Sequence, residues 1–325
     1  MINELYVVGG RQRGLRPLRA GNRNWNGYQQ GVILSIDPTT AEWEERVSYV
    51  SPPEVCPAED PAITFQAGTV QDEVMYVCTQ TEVLIYTLPY FEQSGYLSLP
   101  FFNDLHHVHP TPAGALLIAN AGLEMVVEVT LAGEVCNAWH VLGEEPWQLS
   151  SQVDYRKIDT KPHRSHPNYL FYTGTDAWVT RFHQGDAICL TRPDKRIEIS
   201  SERIHDGVVS NGRIYFTSVD GWVYVTNPST LAVETAIELQ EMHSDSTLLG
   251  WCRSLLVDGD RLWVGFSRIR PTKWRNNVGW LVRGFKDARP THIACYDLAK
   301  RECVVEIDLE PMGLNAVYSI FPAAG

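Results

Sequence analysis

Apolar residues along this chain fall in short runs separated by polar and turn residues. Segments 31–36, 74–77, 115–118, 125–129, 169–172, 213–216, 222–225 and 261–264 show the pattern. Within them apolar and polar positions tend to alternate, which is the period of a half-buried strand. The 3.6-residue spacing of an amphipathic helix is scarce. Asp-Pro, Asn-Pro, Asp-Gly and Asn-Gly pairs punctuate the runs and mark tight turns. The pattern predicts an all-β chain.

The strands repeat as a unit. Its clearest copy is 203–240. An apolar segment opens at Ile204, and an Asn211-Gly212 turn leads to a strand containing Arg213, Ile214, Tyr215 and Phe216. A second turn, Asp220-Gly221, precedes Trp222, and a last strand follows Asn227-Pro228. Four antiparallel strands in about 40 residues is the size of one propeller blade. Similar units fit 62–100, 104–141, 160–200 and 248–308. The ends supply a sixth: 314–321 as its inner strand, with 5–8, 31–36 and 43–49 completing it. The expected fold is a single closed β-propeller over residues 1–325, with six four-stranded blades and the two termini sharing one of them. Such sharing closes the ring and hides sheet edges.

On this blade pattern, carried by residues such as Ile204, His205, Asp206, Gly207, Asn211, Gly212, Ile214, Tyr215 and Phe216, the chain resembles the six-bladed propellers of the NHL-repeat, gluconolactonase-like and streptogramin-lyase-like group. The resemblance implies a central tunnel with sites at one mouth. It implies no reaction, because such propellers include enzymes and scaffolds alike. The carboxylate-rich metal pattern of gluconolactonases is not evident, so that activity is not carried over.

Composition narrows the functions. The formal net charge is -12, which repels phosphate backbones, so nucleic acid is not an expected partner. Seven scattered cysteines without a C-x-x-C pair suggest neither a disulfide framework nor a thiolate zinc site. The N-terminus does not read as a signal peptide, and no apolar run is long enough to span a bilayer. The expected location is cytoplasmic, away from membranes.

The candidate chemistry is histidine. His107 and His205 each lie nine residues before the apolar centre of the following strand (Leu116 and Ile214), and His163 lies seven before Leu170. Each would begin the innermost strand of its blade, where strand starts crowd around the axis. Three imidazoles from successive blades suit a divalent transition metal such as Fe, Zn, Mn, Ni or Cu. Asp104 and Asp206 adjoin these histidines as orienting acceptors. Arg253 holds the matching position one blade on, and Asn315 the start of the end blade's inner strand. Both read as contacts for a small anionic substrate. His109 and His166 remain as bases for proton transfer, or as substitutes for a neighbouring ligand if the strand register slips.

Two segments stand out otherwise. The basic, aromatic insertion 268–289, with Trp274 and Trp280, fits a lid, a protein-docking loop or a packed cover. The Gly-rich stretch 9–19 lacks the Gly-Lys-Ser/Thr ending of a phosphate loop. The leading expectation is a metal-dependent lyase, hydrolase or oxygenase working in the channel. The rivals are a non-enzymatic interaction module using the insertion, and a metal-free transferase with a catalytic channel histidine.

Overall fold

A computed structural model of the chain describes residues 2–13, 27–145, 152–268 and 288–323. Its strands begin with β1 (Leu5–Gln12), β2 (Tyr28–Ile36) and β3 (Trp43–Tyr49). Blade I follows as β4 (Thr69–Gln71), β5 (Val74–Cys78), β6 (Val83–Thr87) and β7 (Glu92–Leu97). Blade II is β8 (Leu105–Pro110), β9 (Leu116–Asn120), β10 (Met125–Val129) and β11 (Val135–His140). Blade III is β12 (Pro167–Thr173), β13 (Asp176–Arg181), β14 (Asp186–Cys189) and β15 (Arg196–Glu198). Blade IV is β16 (Ile204–Ser210), β17 (Arg213–Ser218), β18 (Trp222–Thr226) and β19 (Val233–Glu238). Blade V is β20 (Trp251–Asp258), β21 (Arg261–Ser267), β22 (His292–Asp297) and β23 (Glu302–Asp308), and β24 (Ala316–Pro322) ends the chain.

These strands form six four-stranded antiparallel sheets. In the sixth, β24 pairs with β1, which continues to β2 and β3. The molecule is therefore a six-bladed β-propeller whose two ends close one blade, as the sequence repeat predicts. No helix among the described residues is long and apolar enough to cross a membrane.

Each blade buries its faces against both neighbours. The core splits into clusters that follow this geometry: Val83, Leu97, Leu105 and Ile118 join blades I and II, whereas Leu117, Val126, Leu170 and Val179 join II and III. Phe171, Trp178, Ile214 and Phe216 join III and IV, and Val223, Leu239, Leu255 and Leu262 join IV and V. The end blade meets V through Leu34, Trp263, Ile293 and Val317, and meets I through Tyr6, Ile33, Met75 and Leu84. Strand alternation supplies this directly, since the two faces of a blade serve two different interfaces.

Five of the six inner strands, all but β4, share one irregularity. A β-bulge interrupts β8 at His106, β12 at Asn168 and Tyr169, β16 at His205 and Asp206, β20 at Arg253, and β24 at Tyr318. A bulge leaves a residue out of the ladder and re-aims its side chain. In blades III and IV a buried threonine opposite the bulge satisfies the freed N–H: Tyr169 donates to Thr180 Oγ1 at 2.9 Å, and Asp206 to Thr217 Oγ1 at 3.2 Å.

Candidate metal centre in the channel

The bulges re-aim several inner-strand side chains, and they change which histidines meet. His107 was expected among the ligands. It is fully buried, with Nδ1 accepting the Leu170 N–H at 3.0 Å and Nε2 lying 2.8 Å from the Gly68 carbonyl. Both ring nitrogens are thus committed to backbone groups, and the ring stacks on Tyr169 with centroids 3.9 Å apart. The imidazole is a strut between blades I, II and III. Burial holds it neutral, with a pKa pushed down to about 3.

Its neighbour His106, the bulged residue, faces the cluster instead. Asp104, His106 and His166 each offer one ligand atom, and these atoms lie within 4.8 Å of one another. His163 sits against them, with Nδ1 2.7 Å from His166 Nδ1 and 3.7 Å from Asp104 Oδ2. His163 does not begin an inner strand as expected. It belongs to the connection between β11 and β12, which brings it to His166 and Asp104.

Hydrogen bonds fix the protonation of this pair. Asn103 Nδ2 donates to the carbonyls of Tyr155 and Ile158, so its Oδ1 must accept, and it does so from Thr160 Oγ1 at 2.7 Å. Thr160, having spent its proton, can only accept from His163 Nε2, 3.4 Å away. Neutral His163 then carries its lone pair on Nδ1 and receives the His166 Nδ1–H. His166 is left with its lone pair on Nε2, the form a metal ligand needs.

The connection is anchored by Glu124. Its carboxylate accepts the backbone N–H groups of Arg164, Ser165 and His166, the last at 2.9 Å. Asp104 and His166 both hold left-handed backbone, with φ of 47° and 63°. Such conformations cost free energy in non-glycine residues and persist where surrounding contacts impose them.

Electrostatics favour the same assignment. Burial pushes the Asp104 carboxyl up, yet Lys161, 3.1 Å away, together with His106 and His163, outweighs it and holds the group well below the usual carboxylate range. Burial drives the His166 and His163 imidazoles below their ordinary value. His106 is buried with both ring nitrogens lacking any hydrogen-bond partner. A buried imidazole with two idle nitrogens is uncommon, because buried polar atoms are normally satisfied. Two imidazoles and a carboxylate match the donor set of several divalent transition metals. His106 Nε2 and Asp104 Oδ2 lie 3.8 Å apart, more than the roughly 3.4 Å between tetrahedral ligands held about 2.1 Å from one ion, so binding would draw these side chains together.

The remaining expected residues lie elsewhere along the channel or outside the cluster. His205 Nδ1 is 2.7 Å from Asp206 Oδ1, the orienting contact anticipated for it. Burial lowers the His205 pKa and raises that of Asp206, favouring the neutral form of each. Arg253 lies over the rings of Tyr318 and Trp251, at 5.0 and 5.4 Å from their centroids. His109 has Nδ1 2.7 Å from the Pro110 carbonyl and stands beside Tyr172, apart from the cluster. Asn315 accepts the Gln12 N–H at 2.9 Å and ties the chain ends together. Tyr318, three residues on, takes the bulge position. Of the insertion, residues 269–287, with Trp274 and Trp280, lie outside the described residues, as do 14–19 of the Gly-rich stretch.

Comparison with known proteins adds the fold and nothing finer. No family model matches the chain, and no curated protein does. Its structure is similar to that of a protein of unknown function from Bacteroides caccae, at 12% identity and a TM-score of 0.63, covering 99% of this chain and 100% of that one. The computationally designed Ika8 protein also matches, at 9% identity over 89% of this chain and 74% of its own, but its TM-score of 0.43 carries no argument.

Proposed function

We propose that the protein is a metal-dependent enzyme acting on a small anionic molecule in the propeller channel. Asp104, His106 and His166 are the ligands, His163 orients His166, and Arg253 anchors the substrate. The observation that carries this reading is His106, buried with neither ring nitrogen hydrogen-bonded and with Nε2 3.8 Å from Asp104 Oδ2, beside His166. A divalent ion bound there would polarise a substrate oxygen or acidify a bound water. The chain's own contribution is the arrangement: Glu124 and Asn103 hold the connection, and Thr160 sets the tautomer of the histidine pair.

Metal analysis of protein purified without a metal-binding tag tests this. About one ion per chain is expected, lost in the His106→Ala/His166→Ala double variant. One contact favours a second reading. Lys161 already neutralises Asp104 at 3.1 Å, which suits metal-free transfer chemistry on a channel histidine. Protein that takes up no metal under any loading condition would sink the first reading and leave this one.

A further inference from the structure

Arg253 sits at the bulge of β20, the inner strand of blade V, and reaches the inner edge of the neighbouring blade. Its guanidinium carbon lies 5.0 Å from the ring centroid of Tyr318, the bulge residue of β24. It lies 5.4 Å from the centroid of Trp251 on its own strand. His205, the bulge residue of blade IV, has its ring 6.4 Å from that of Tyr318. Three successive inner strands therefore converge on one guanidinium.

Apart from these rings, that guanidinium has no hydrogen-bond or ion-pair partner among the described residues. Its Nε is buried without a hydrogen bond, and no carboxylate lies within ion-pair distance of it among the described residues. This sets it apart from the other arginines near the channel and its rim. Arg181 pairs with Asp186, Arg164 with Glu144 and Arg11 with Glu45. Asp206, on the neighbouring inner strand β16, is turned to His205 instead. Burial favours its neutral form, although the nearby Arg253 charge pulls the other way.

Leaving an arginine donor buried and idle is costly unless something supplies the acceptor. The two aromatic faces restrict how the guanidinium can turn and favour the cation electrostatically. Its Nε and one Nη then present a fork that a planar carboxylate fills with two parallel hydrogen bonds. One uncompensated positive charge matches one negative charge better than the two of a phosphate monoester. Beside the aromatic rings, flat apolar substituents on the acid would also be accommodated.

We propose that the channel substrate is a monocarboxylate whose carboxylate pairs side-on with Arg253 between the Trp251, Tyr318 and His205 rings. This deepens the reading of the channel as an active site. The anchor itself stands apart from the metal ligands and needs no ion.

Calorimetric titration of EDTA-treated, then metal-loaded, protein with acetate, benzoate, sulfate and phosphate tests the proposal. Saturable binding of a carboxylate is expected in both states, with benzoate tighter than acetate and both tighter than sulfate or phosphate. Arg253→Lys keeps the charge but loses the fork, and should weaken binding at least tenfold; Arg253→Gln should abolish it. Thermal unfolding of each variant checks that it folds, and the lysine variant alone decides the matter if the glutamine variant does not. Absence of saturable carboxylate binding, a preference for sulfate or phosphate, or full binding by Arg253→Lys would overturn the proposal. Carboxylate binding in protein that takes up no metal would retain the anchor and defeat the metalloenzyme reading. Metal uptake without carboxylate binding would do the reverse.

Discussion

At the scale of single residues, the structure separates the histidines gathered around Asp104 from histidines that are merely enclosed. His292 on β22 is an enclosed one. It is 1% exposed, stacks on Phe266 with centroids 4.9 Å apart, and has Nδ1 2.8 Å from the Pro290 carbonyl. Its Nε2 is buried without a partner. Burial pushes its pKa down from 6.5 to about 4. The folded protein therefore resists a proton that the unfolded chain accepts. The stability associated with neutral His292 is fully present above pH about 6.5, falls as the pH drops towards about 4, and stays lost below that. The loss amounts to about 3 kcal/mol if the full shift is realised. Urea unfolding from pH 7 to 4 should show a steeper decline for the native protein than for His292→Leu, by up to one proton's worth of slope. Equal slopes would show that His292 titrates normally. Histidine count alone could not make this distinction, because the ten histidines look alike until their partners are known.

At the scale of the element, the inner-strand bulge decides which residue leaves the ladder and has its side chain re-aimed. Strand, blade and closing segment were all legible, because alternation and turn pairs are local signals that survive in a single sequence. His205 and Arg253 sit at the inner-strand bulges of blades IV and V, at the positions the repeat spacing singles out. In blade II the choice slipped by one residue. The spacing selects His107, but the β8 bulge between Leu105 and His107 frees His106. A bulge has no periodicity signature, and a slip of one residue exchanges the two faces of a strand. The run of His106, His107 and His109 made the error invisible. His163 and His166 were noticed as histidines, but their meeting with Asp104 depends on a connection held by Glu124, a contact between distant residues that spacing does not encode. Lys161 was missed altogether. The two adjacent histidines should respond oppositely to truncation. His107→Ala leaves the Leu170 N–H and the Gly68 carbonyl buried and unpaired, at about 1–3 kcal/mol each. It should lower the unfolding midpoint while retaining stoichiometric metal. His106→Ala leaves no backbone group unpaired, so with metal removed from both proteins its midpoint should fall less than that of His107→Ala, and it should lose the metal. Metal content and chemical denaturation measured on the same two preparations check this, and the opposite pattern would restore His107 as the ligand.

At the scale of the whole molecule, every blade depends on two neighbours, so the channel exists only while the ring is closed. Closure rests on β24, which pairs with β1 from Leu5↔Pro322 to Gly10↔Ala316 and carries Tyr318 to the arginine. Hydrogen bonds reinforce it on both flanks: the Gly68 N–H donates to Ser319 Oγ at 3.1 Å, and the Val317 N–H to Ser267 Oγ at 3.1 Å. The tightest approach to backbone is at Gly9, where a Cβ would lie 1.8 Å from the Ala316 carbonyl oxygen. Backbone cannot yield there as a flexible side chain could, so Gly9→Ala should push the closing strand off β1. We expect a loss of about 3 kcal/mol or more, the upper range of overpacking effects. Gly114 supplies the contrast. Its φ of 81° strains any replacement, but nothing lies within 4 Å of its Cβ position. Gly114→Ala should cost only about 1–2 kcal/mol, the local price of left-handed backbone. Hydrogen exchange separates the two kinds of damage. In Gly9→Ala, protection should fall first in β1 and β24 and in the flanking inner strands β4 and β20, with carboxylate binding weakened because Tyr318 moves. In Gly114→Ala, protection should change only near the turn between β8 and β9. Uniform loss of protection in Gly9→Ala would mean that the ring opens as one cooperative unit, with the closing strand no weaker than any other seam.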